Sequence, residues 1–501
     1  MKSILLTLIL FLQITITLTA QSLESRINEI ATEFDLMGSA VVVFCDSDSL
    51  HYYFTGKSDL ARNIDIAQNT KFRIASISKS VTAIAIMQLV EQNLLDLDSD
   101  IGNILEYSIR NPNYPNQSIT TRMLLSHKSS IVDGSTYNNF LTATYNNYPI
   151  PNLSQLLTPS GAYYNTSQFI NRAPGSYFNY ANINFVILGT IIEKLSNQRF
   201  DTYCREHIFQ PLGIDASFNV NDIANIDSIA VLYRKTNNTW EPQADNYQGV
   251  QPVFTNLTDY IPGTNGARFS PQGGLRISAI DLAKIFRILA NINSSPVAIL
   301  NQSSINSMLS DQWTFNGTNG NYYGGLFLSW GLGIHRITST AGYDVVLPES
   351  SSMQGHTGEA YGLISDAFFD TIRRVGLVFI TNGCGKGYTI GPTSAFYTVE
   401  EQIFNAIETY GNIDNCLTVN TKPLEKDESG FSIYPNPAEN SLELSISNPA
   451  NPSLLKIFTI DGRLLQENRL STKNSTLDIS TLNKGIYLLK IDNSVKQLIK
   501  Q

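Results

Sequence analysis

The stretch Phe72-Arg73-Ile74-Ala75-Ser76-Ile77-Ser78-Lys79 places a serine three residues before a lysine, at the predicted start of a helix. Residues at positions i and i+3 share one helical face, so the Lys79 amine can approach the Ser76 hydroxyl. A serine hydroxyl is a weak nucleophile until a base removes its proton. Lysine serves as that base only if burial or a neighbouring cation lowers its pKa from about 10.4 toward neutrality. The spacing therefore predicts Ser76 as a nucleophile and Lys79 as its base.

The helix that follows favours burial of this lysine, because residues 80–90 carry no charged side chain. A helix that is apolar nearly all round lies inside a domain. The alternative is that Ser76 caps a buried helix while Lys79 extends its amine to solvent. The same spacing recurs at Ser453 and Lys456, where we predict a strand, and residues three apart on a strand face opposite sides. Spacing alone therefore does not decide the role of Ser76.

Length and composition indicate a globular protein of two or three domains. The chain has 501 residues, of which 42% are hydrophobic and 15% charged. The net charge is −9 and no basic run occurs, which argues against nucleic acid or an anionic membrane as a partner. No C-x-x-C or H-E-x-x-H motif occurs, so we predict no zinc site and no cofactor.

The first twenty residues have the pattern of a signal peptide. Lys2 supplies the positive start, residues 4–12 the apolar centre, and Ala20 a small residue at a plausible cleavage point. No later segment has the length to span a bilayer. We therefore predict an exported protein whose mature chain has no transmembrane segment.

Four cysteines occur in the predicted mature chain, and export permits disulfides between them. Because Cys384 and Cys416 both lie near the end of the same predicted domain, our interpretation pairs them. The alternative is that the cysteines are buried free thiols. The remaining two are Cys45 and Cys204.

Strand and helix patterns predict an α+β domain over residues 21–416. A buried strand at 39–44 and a partner at 50–54 open the domain, and a hairpin at 361–365 and 375–380 comes near its end. Helical patterns lie between them, and a further helix at 398–410 closes the domain. We therefore predict one antiparallel sheet assembled from both ends of the domain.

Two more segments stand out in this domain. Tyr180-Ala181-Asn182 precedes a helix at 185–195, in a loop restrained by Pro174 and Gly175. Gly355-His356-Thr357-Gly358-Glu359 precedes the hairpin. Taken alone, Tyr180 is an aromatic that anchors a loop and Asn182 is a helix cap. Residues 131–172 are rich in Asn, Tyr and Pro, and we predict a long irregular segment that lines a binding site.

The order Ser76-x-x-Lys79, Tyr180-x-Asn182, His356-Thr357-Gly358 resembles the serine β-lactamase and penicillin-binding-protein superfamily, and most of all class C enzymes and DD-carboxypeptidases. The resemblance covers roughly residues 24–410 and includes the flanking phrases at 72–75, 124–127 and 273–275. It implies a β-lactamase/transpeptidase-like fold, with an antiparallel sheet flanked by helices and a helical subdomain.

The resemblance implies acyl-enzyme chemistry on an amide or ester. Ser76 would attack the carbonyl, and Lys79 would assist its deprotonation. Tyr180 would share the proton transfer, with its phenol acidified by neighbouring cations. Asn182 would hydrogen-bond the substrate amide or the Lys79 amine.

The resemblance also implies the surroundings of the nucleophile. The backbone N–H groups of Ser76 and Glu359 would form the oxyanion hole. The strand that carries His356, Thr357 and Gly358 would form the wall along which an extended substrate lies.

His356 departs from the β-lactamases of this group, which have lysine at this position. Because histidine is only partly charged near neutral pH, it would hold a substrate carboxylate less firmly and in a pH-dependent way. D-amino-acid peptides, β-lactams and small esters all stay open as substrates. The alternative from another class is a non-catalytic sensor or binding protein with the same fold. His127 fits a structural role, and His51, His207 and His335 are assigned none.

The C-terminal part of the chain has a different character. Residues 417–430 are charged and lack apolar periodicity, so we predict a linker. Residues 431–501 show short alternating strands of a small β-sandwich. Tyr434-Pro435-Asn436-Pro437, Gly485-Ile486-Tyr487 and the final Lys500 resemble the sorting domain of type IX secretion. This implies the type IX machinery as partner and export through the periplasm to the cell surface or medium; the alternative is a generic adhesion or carbohydrate-binding module.

Overall fold

The computed structural model describes residues 21–45, 50–252, 257–292, 298–350, 352–411, 431–446, 453–459, 464–470, 472–491 and 494–500. The chain divides into two compact units, one up to Thr418 and one from Val419. The predicted signal peptide and the predicted linker lie outside the described residues. Among the residues that are described, no helix is both long and apolar enough to cross a membrane.

The first unit is built around an antiparallel sheet. The strands described in this unit are β1 (Gly38–Cys45), β2 (Leu50–Asp59), β3 (Ile64–Asp65), β4 (Lys71–Arg73), β5 (Leu232–Thr236), β6 (Thr239–Ala244), β7 (Arg276–Ser278), β8 (Trp313–Thr314), β9 (Ser329–Trp330), β10 (His335–Arg336), β11 (Met353–Ala360), β12 (Leu363–Asp370) and β13 (Val375–Thr381). Within the described residues, nine of them pair in the order β3-β2-β1-β13-β12-β11-β10-β9-β8. Val42 of β1 faces Val378 of β13, which confirms that the two ends of the domain share one sheet.

Helices cover both faces of this sheet. They are α1 (Leu23–Glu33), α2 (Ser78–Glu91), α3 (Ile101–Leu105), α4 (Thr121–Leu125), α5 (Tyr137–Asn146), α6 (Ser154–Leu157), α7 (Asn182–Ser196), α8 (Phe200–Cys204), α9 (Ala279–Leu289), α10 (Gln302–Leu309) and α11 (Thr398–Tyr410). Because side chains alternate along a strand, Val42 belongs to the core that contains residues of α2, α7 and α9, and Val43 to the core that contains residues of α1 and α11. This explains why β1 is buried along its whole length.

Helix α2 lies in the centre of the first unit, as its uncharged sequence predicts. Residues 78–89 are all buried, and α2 packs against α7. The predicted closing helix agrees with α11 at both ends. The segment 131–172 differs from the prediction, because α5 and α6 lie within it and bury Phe140, Leu156 and Leu157 in the core.

The predicted pairing of Cys384 with Cys416 is wrong, because Cys384 carries a free thiol. Its sulfur lies 3.8 Å from the carbonyl oxygen of Phe34, inside the apolar layer between α1 and the sheet. Burial raises the pKa of the Cys384 thiol to about 11. Cys204 is also a buried free thiol, whereas Cys45 at the end of β1 is disulfide-bonded.

The second unit consists of strands in its described residues. They are β14 (Phe431–Tyr434), β15 (Ser441–Ile446), β16 (Ser453–Thr459), β17 (Leu464–Leu470), β18 (Asn474–Asp478), β19 (Gly485–Ile491) and β20 (Ser494–Lys500). Two sheets, β14-β15-β18 and β17-β16-β19-β20, share one core that includes Leu444, Ile457 and Leu489. The alternating pattern thus predicted the small β-sandwich correctly.

Candidate active site

Ser76 and Lys79 are brought together where a single turn of 3-10 helix, Ala75–Ile77, leads into α2. The Lys79 Nζ lies 2.9 Å from the Ser76 Oγ. The turn holds the serine at the end of the buried helix, and the lysine reaches back along the helix toward it. The contact that the spacing requires for deprotonation is therefore present.

The surroundings of Lys79 leave its amine able to accept a proton. The side chain is fully buried, and Nζ lies 2.9 Å from the Asn182 Oδ1 and 2.8 Å from the Gln272 carbonyl oxygen. Burial lowers the pKa of Lys79 to about 7, while the Asp133 carboxylate acts in the opposite direction. A neutral amine has two N–H groups and one lone pair. Because both oxygens can only accept, they use the two N–H groups, and the lone pair is left for the Ser76 hydroxyl.

Asp133 orients Asn182, and sequence analysis did not identify it. Its carboxylate accepts from the Asn182 Nδ2 at 2.9 Å and from the backbone N–H of Ile183 at 2.9 Å. The carboxamide is thereby turned so that Oδ1 faces Lys79. One signal was available: the residue before α7 is Ala181, which cannot cap a helix, so the exposed N–H groups need an acceptor from elsewhere.

Tyr180 lies over the Ser76–Lys79 pair. Its hydroxyl is hydrogen-bonded with Ser76, and its ring centroid is 4.9 Å from the Lys79 Nζ. The expected acidified phenol is wrong for this resting site, because burial raises the pKa of Tyr180 above its usual value of 10. Desolvation outweighs the hydrogen bond with Ser76, and the Asp133 carboxylate raises the pKa of Tyr180 further. The neutral phenol is therefore a proton donor.

His127 fixes the loop that carries Tyr180. Its ring lies 4.3 Å from the Tyr180 ring, centroid to centroid. The His127 Nδ1 accepts from the Ala181 N–H and from the Asn184 Nδ2, both at 3.2 Å. Burial lowers the pKa of His127 well below its usual range, so the ring is neutral and Nε2 carries its proton. These contacts agree with the predicted structural role.

Strand β11 passes directly beside Ser76 at Gly358. A Cβ atom at this position would lie 2.7 Å from the Ile74 carbonyl oxygen and 3.1 Å from the Ser76 backbone nitrogen. Any side chain would therefore push the strand away from the serine. The close approach explains why this strand position requires glycine.

His356 precedes this contact and is buried. Its Nδ1 lies 2.5 Å from the Thr357 carbonyl oxygen, so Nδ1 carries the proton and Nε2 is an acceptor. In the described part of the chain, Nε2 has no hydrogen-bond partner. Burial, followed by the charge of Lys79, lowers the pKa of His356 well below 6.5. The expected partly charged histidine is therefore wrong, because the ring is neutral at neutral pH.

The Thr357 side chain points away from Ser76 toward α11, and Glu359 lies at the rim of the cavity. The Thr357 hydroxyl lies 3.4 Å from the Glu400 Oε1 on α11, and the structure does not bring it to the Ser76 cluster. The Glu359 carboxylate accepts from the Tyr397 hydroxyl at 2.7 Å and lines the cavity beside Ser76. The substrate-binding role of Thr357 and the oxyanion-hole role of the Glu359 N–H stay predictions.

A cavity of about 510 Å³ opens beside Ser76. Its lining residues are Arg73, Ala75, Ser76, Asp133, Gly134, Tyr137, Asn138, Leu141, Tyr180, Asn182, Ser270, Gln272, Gly273, Glu359, Ala360 and Tyr361. Three of them, Tyr137, Asn138 and Leu141, come from α5. The segment 131–172 therefore lines the cavity beside Ser76 through a helix, and its role in binding stays a prediction.

Comparison with protein families assigns both units. The family model described as Beta-lactamase matches residues 23–390. The model described as Secretion system C-terminal sorting domain matches residues 432–501.

Two relatives show how low the sequence identity to known proteins is. Penicillin-binding protein 4 of Amycolatopsis lactamdurans is 23% identical over 306 residues, which are 59% of this chain and 72% of that protein. Protein flp of Staphylococcus aureus strain N315 is 25% identical over 202 residues, which are 40% of this chain and 36% of that protein.

Solved structures share the fold of this chain. D-amino acid amidase from Ochrobactrum anthropi SV3 aligns with a TM-score of 0.53 at 20% identity, covering 78% of this chain and 98% of that one. EstCE1, a hydrolase with promiscuous acyltransferase activity, aligns with a TM-score of 0.56 at 19% identity, covering 77% of this chain and 99% of that one. The octameric penicillin-binding protein homologue from Pyrococcus abyssi aligns with a TM-score of 0.57 at 20% identity, covering 95% of this chain and 99% of that one.

Proposed function

We propose that this chain, which belongs to the beta-lactamase family, is an exported serine hydrolase that acts through an acyl-enzyme on an amide or ester. The observation that carries the proposal is the hydrogen bonding of Lys79. Two carbonyl acceptors occupy its N–H groups, and its pKa near 7 leaves a lone pair for the Ser76 hydroxyl at 2.9 Å. A merely structural lysine would gain more from staying charged and paired with a carboxylate.

Acylation begins when the Ser76 Oγ attacks the substrate carbonyl and its proton passes to the Lys79 Nζ. The carbonyl oxygen becomes an oxyanion, which the Ser76 and Glu359 N–H groups would stabilise. The bond to the leaving group then breaks. Tyr180 donates its proton to the departing nitrogen or oxygen and regains one from the Lys79 ammonium, so the site ends with a neutral amine and an acylated serine.

Deacylation repeats these steps with water as the nucleophile. The neutral Lys79 amine accepts the water proton while the hydroxide adds to the ester carbonyl, and the Tyr180 phenol keeps its own proton. Collapse of the second tetrahedral intermediate returns the proton to the Ser76 Oγ and releases the acid. Both half-reactions therefore use Lys79 as the proton acceptor.

The substrate range is proposed from the relatives. Amides, peptides ending in a D-amino acid, β-lactams and small esters all contain the carbonyl that this site would attack. The one N–H of the neutral His356 ring is taken by the Thr357 carbonyl oxygen, so His356 offers a substrate carboxylate neither a charge nor a hydrogen-bond donor. This favours amide and ester hydrolysis over efficient β-lactam turnover.

The second candidate function is a non-catalytic sensor that is acylated once. A site with every proton-transfer group in contact favours turnover instead. Ester hydrolysis distinguishes the two, because a sensor would release a single equivalent of alcohol per serine and then stop.

Labelling with a fluorophosphonate tests the nucleophile. We expect a mass increase on Ser76 of the folded protein, its loss in Ser76→Ala and its retention in Ser453→Ala, the matched variant of the second serine-lysine pair. Absence of the adduct from folded protein, or an equal adduct on Ser76→Ala, would overturn the proposal.

The sorting domain supports the proposal of export. We propose that residues 431–501 direct the chain through the type IX machinery to the cell surface or the medium. Deleting them in the native host should retain the protein in the periplasm. Unchanged secretion of the truncated chain would contradict this route.

A further inference from the structure

A second, larger cavity adjoins the one beside Ser76. Its volume is about 700 Å³, and the two cavities share the wall residues Arg73, Ser270 and Tyr361. A substrate attached at Ser76 could therefore extend past this wall without leaving the protein surface. The second cavity has no role in the reaction described above.

The charge of this second cavity is opposite to that of the whole chain. Three guanidinium groups, those of Arg73, Arg268 and Arg276, line it with a single carboxylate, that of Asp245. The chain as a whole carries a net charge of −9. A local excess of positive charge in a concave site concentrates anions there.

Arg276 accounts for the Asp245 carboxylate. Their side chains are joined by two hydrogen bonds, Nη2 to Oδ1 at 2.6 Å and Nε to Oδ2 at 3.1 Å. The Tyr247 hydroxyl donates to the same carboxylate at 2.9 Å. Asp245 is therefore hydrogen-bonded by Arg276 and Tyr247, and Arg73 interacts with it only at longer range. One carboxylate leaves a net positive charge among the three guanidinium groups.

Arg73 is the cation that faces both cavities. Its Cζ lies 5.0 Å from the centroid of the Tyr361 ring, a cation–π contact that holds the planar group in place. Within the described residues it forms no salt bridge, and its Nε is buried without a hydrogen-bond partner. A buried guanidinium donor without an acceptor is costly, and a carboxylate would satisfy it.

We propose that the second cavity binds a carboxylate on the acyl part of the substrate, with Arg73 as its main partner; this rests on the acyl-enzyme function proposed above. Arg73 precedes Ser76 by three residues, so their Cα atoms are at most about 10 Å apart. Tyr180, the donor to the leaving group, lines only the first cavity. The part of the substrate that stays on Ser76 therefore extends toward Arg73.

Two esters with the same leaving group test this specificity. We compare kcat/KM for the p-nitrophenyl monoester of adipic acid with that for p-nitrophenyl hexanoate, which has the same chain length without the carboxylate. The wild-type protein should prefer the adipate ester by about tenfold at low salt, and high salt should reduce the preference. Arg73→Gln should abolish the preference, and Arg73→Lys should keep part of it.

Arg172 provides the matched control. Its Cζ lies 4.9 Å from the Tyr177 ring, so it is also an arginine held over a tyrosine, but it lines neither cavity. Arg172→Gln should keep the wild-type ratio of the two esters. An equal loss of preference in this variant would show a general charge effect and overturn the proposal.

Calorimetric titration measures anion binding at the same site without turnover. It uses the wild-type protein, so it remains a test even if Arg73→Gln does not fold. Adipate should bind the wild-type protein more tightly than neutral adipamide, and high salt should remove the difference. If the hexanoate ester is hydrolysed through Ser76 but neither assay favours the anion, this inference fails while the proposed function stands. If folded protein hydrolyses neither ester, the proposed function fails and the inference with it.

Discussion

The two serine-lysine pairs of this chain have the same spacing and different surroundings. Ser76 and Lys79 lie on one helical turn inside the first unit, with Nζ 2.9 Å from Oγ. Ser453 and Lys456 lie on β16 of the second unit, where Lys456 pairs instead with Glu467 on β17 at 3.4 Å. The helix places i and i+3 on one face, and the strand places them on opposite faces.

Burial separates the two lysines further. Lys79 is fully buried, and its pKa falls to about 7. The side chain of Lys456 is 40% exposed, so water and its carboxylate partner solvate the charge. The serine-lysine spacing alone thus does not make a reactive pair. The backbone must also bring the hydroxyl and the amine together, and the surrounding fold must exclude water from the amine.

The largest contrast is expected in ester turnover. Lys79→Ala should lower kcat/KM for p-nitrophenyl acetate by at least about a hundredfold, the range for loss of a general base. Lys456→Ala should leave it unchanged. Circular dichroism of both variants checks folding, and a folded Lys79→Ala protein with wild-type turnover would refute the role of the lysine.

The pH dependence of turnover sharpens the contrast. The folded pKa of Lys79 is lowered, so its proton-accepting form is lost as pH falls below about 7. Below that value kcat/KM should fall by about tenfold per pH unit, and above it the rate should level off. His356 adds no second step, since its pKa lies well below 6.5. A profile that stays flat from pH 5 to 8 would contradict the assignment.

Asp133→Asn tests what holds the buried pair in place. The substitution removes a charge that raises the pKa of Lys79 and loosens the grip on Asn182. The midpoint of the pH profile should therefore move to lower pH, while kcat at the plateau falls by several-fold, about three to ten. An unshifted midpoint with unchanged kcat would show that Asp133 acts on α7 alone.

The smallest effect is expected in the second unit. The Lys456–Glu467 pair is roughly half-exposed on both sides, so its contribution to stability is screened by water. Lys456→Ala should change the free energy of unfolding by less than about 0.5 kcal/mol. Urea denaturation monitored by fluorescence measures it, and a larger loss would mean that this pair is less solvated than its exposure indicates.

Sequence patterns predicted the parts of the fold that follow simple periodicity. The central strands β1 and β13, the buried helix α2 and the closing helix α11 all carry long apolar runs or helical spacing. Helices α5 and α6 were missed because their segment is dominated by Asn, Tyr and Pro, whose low helix propensity hides the few buried positions. In this segment the helices are stabilised by packing against the core rather than by their own helix propensity.

At the site, sequence predicted which residues meet and failed where burial sets the chemistry. The contact of Lys79 with Ser76 follows from helical geometry. The neutral state of His356 and the raised pKa of Tyr180 follow from desolvation, which no local pattern encodes. Asp133 was missed because its partners are 49 and 50 residues further along the chain.

The close passage of Gly358 past the serine has an evolutionary consequence. With 3.1 Å between the Ser76 nitrogen and the place of a Cβ, this position cannot accept a side chain unless β11 moves away from Ser76. We therefore expect new substrate preferences to arise at other residues that line the cavity, such as Leu141 and Asn138 on α5. Natural variants with altered selectivity should carry their changes there and leave the glycine untouched.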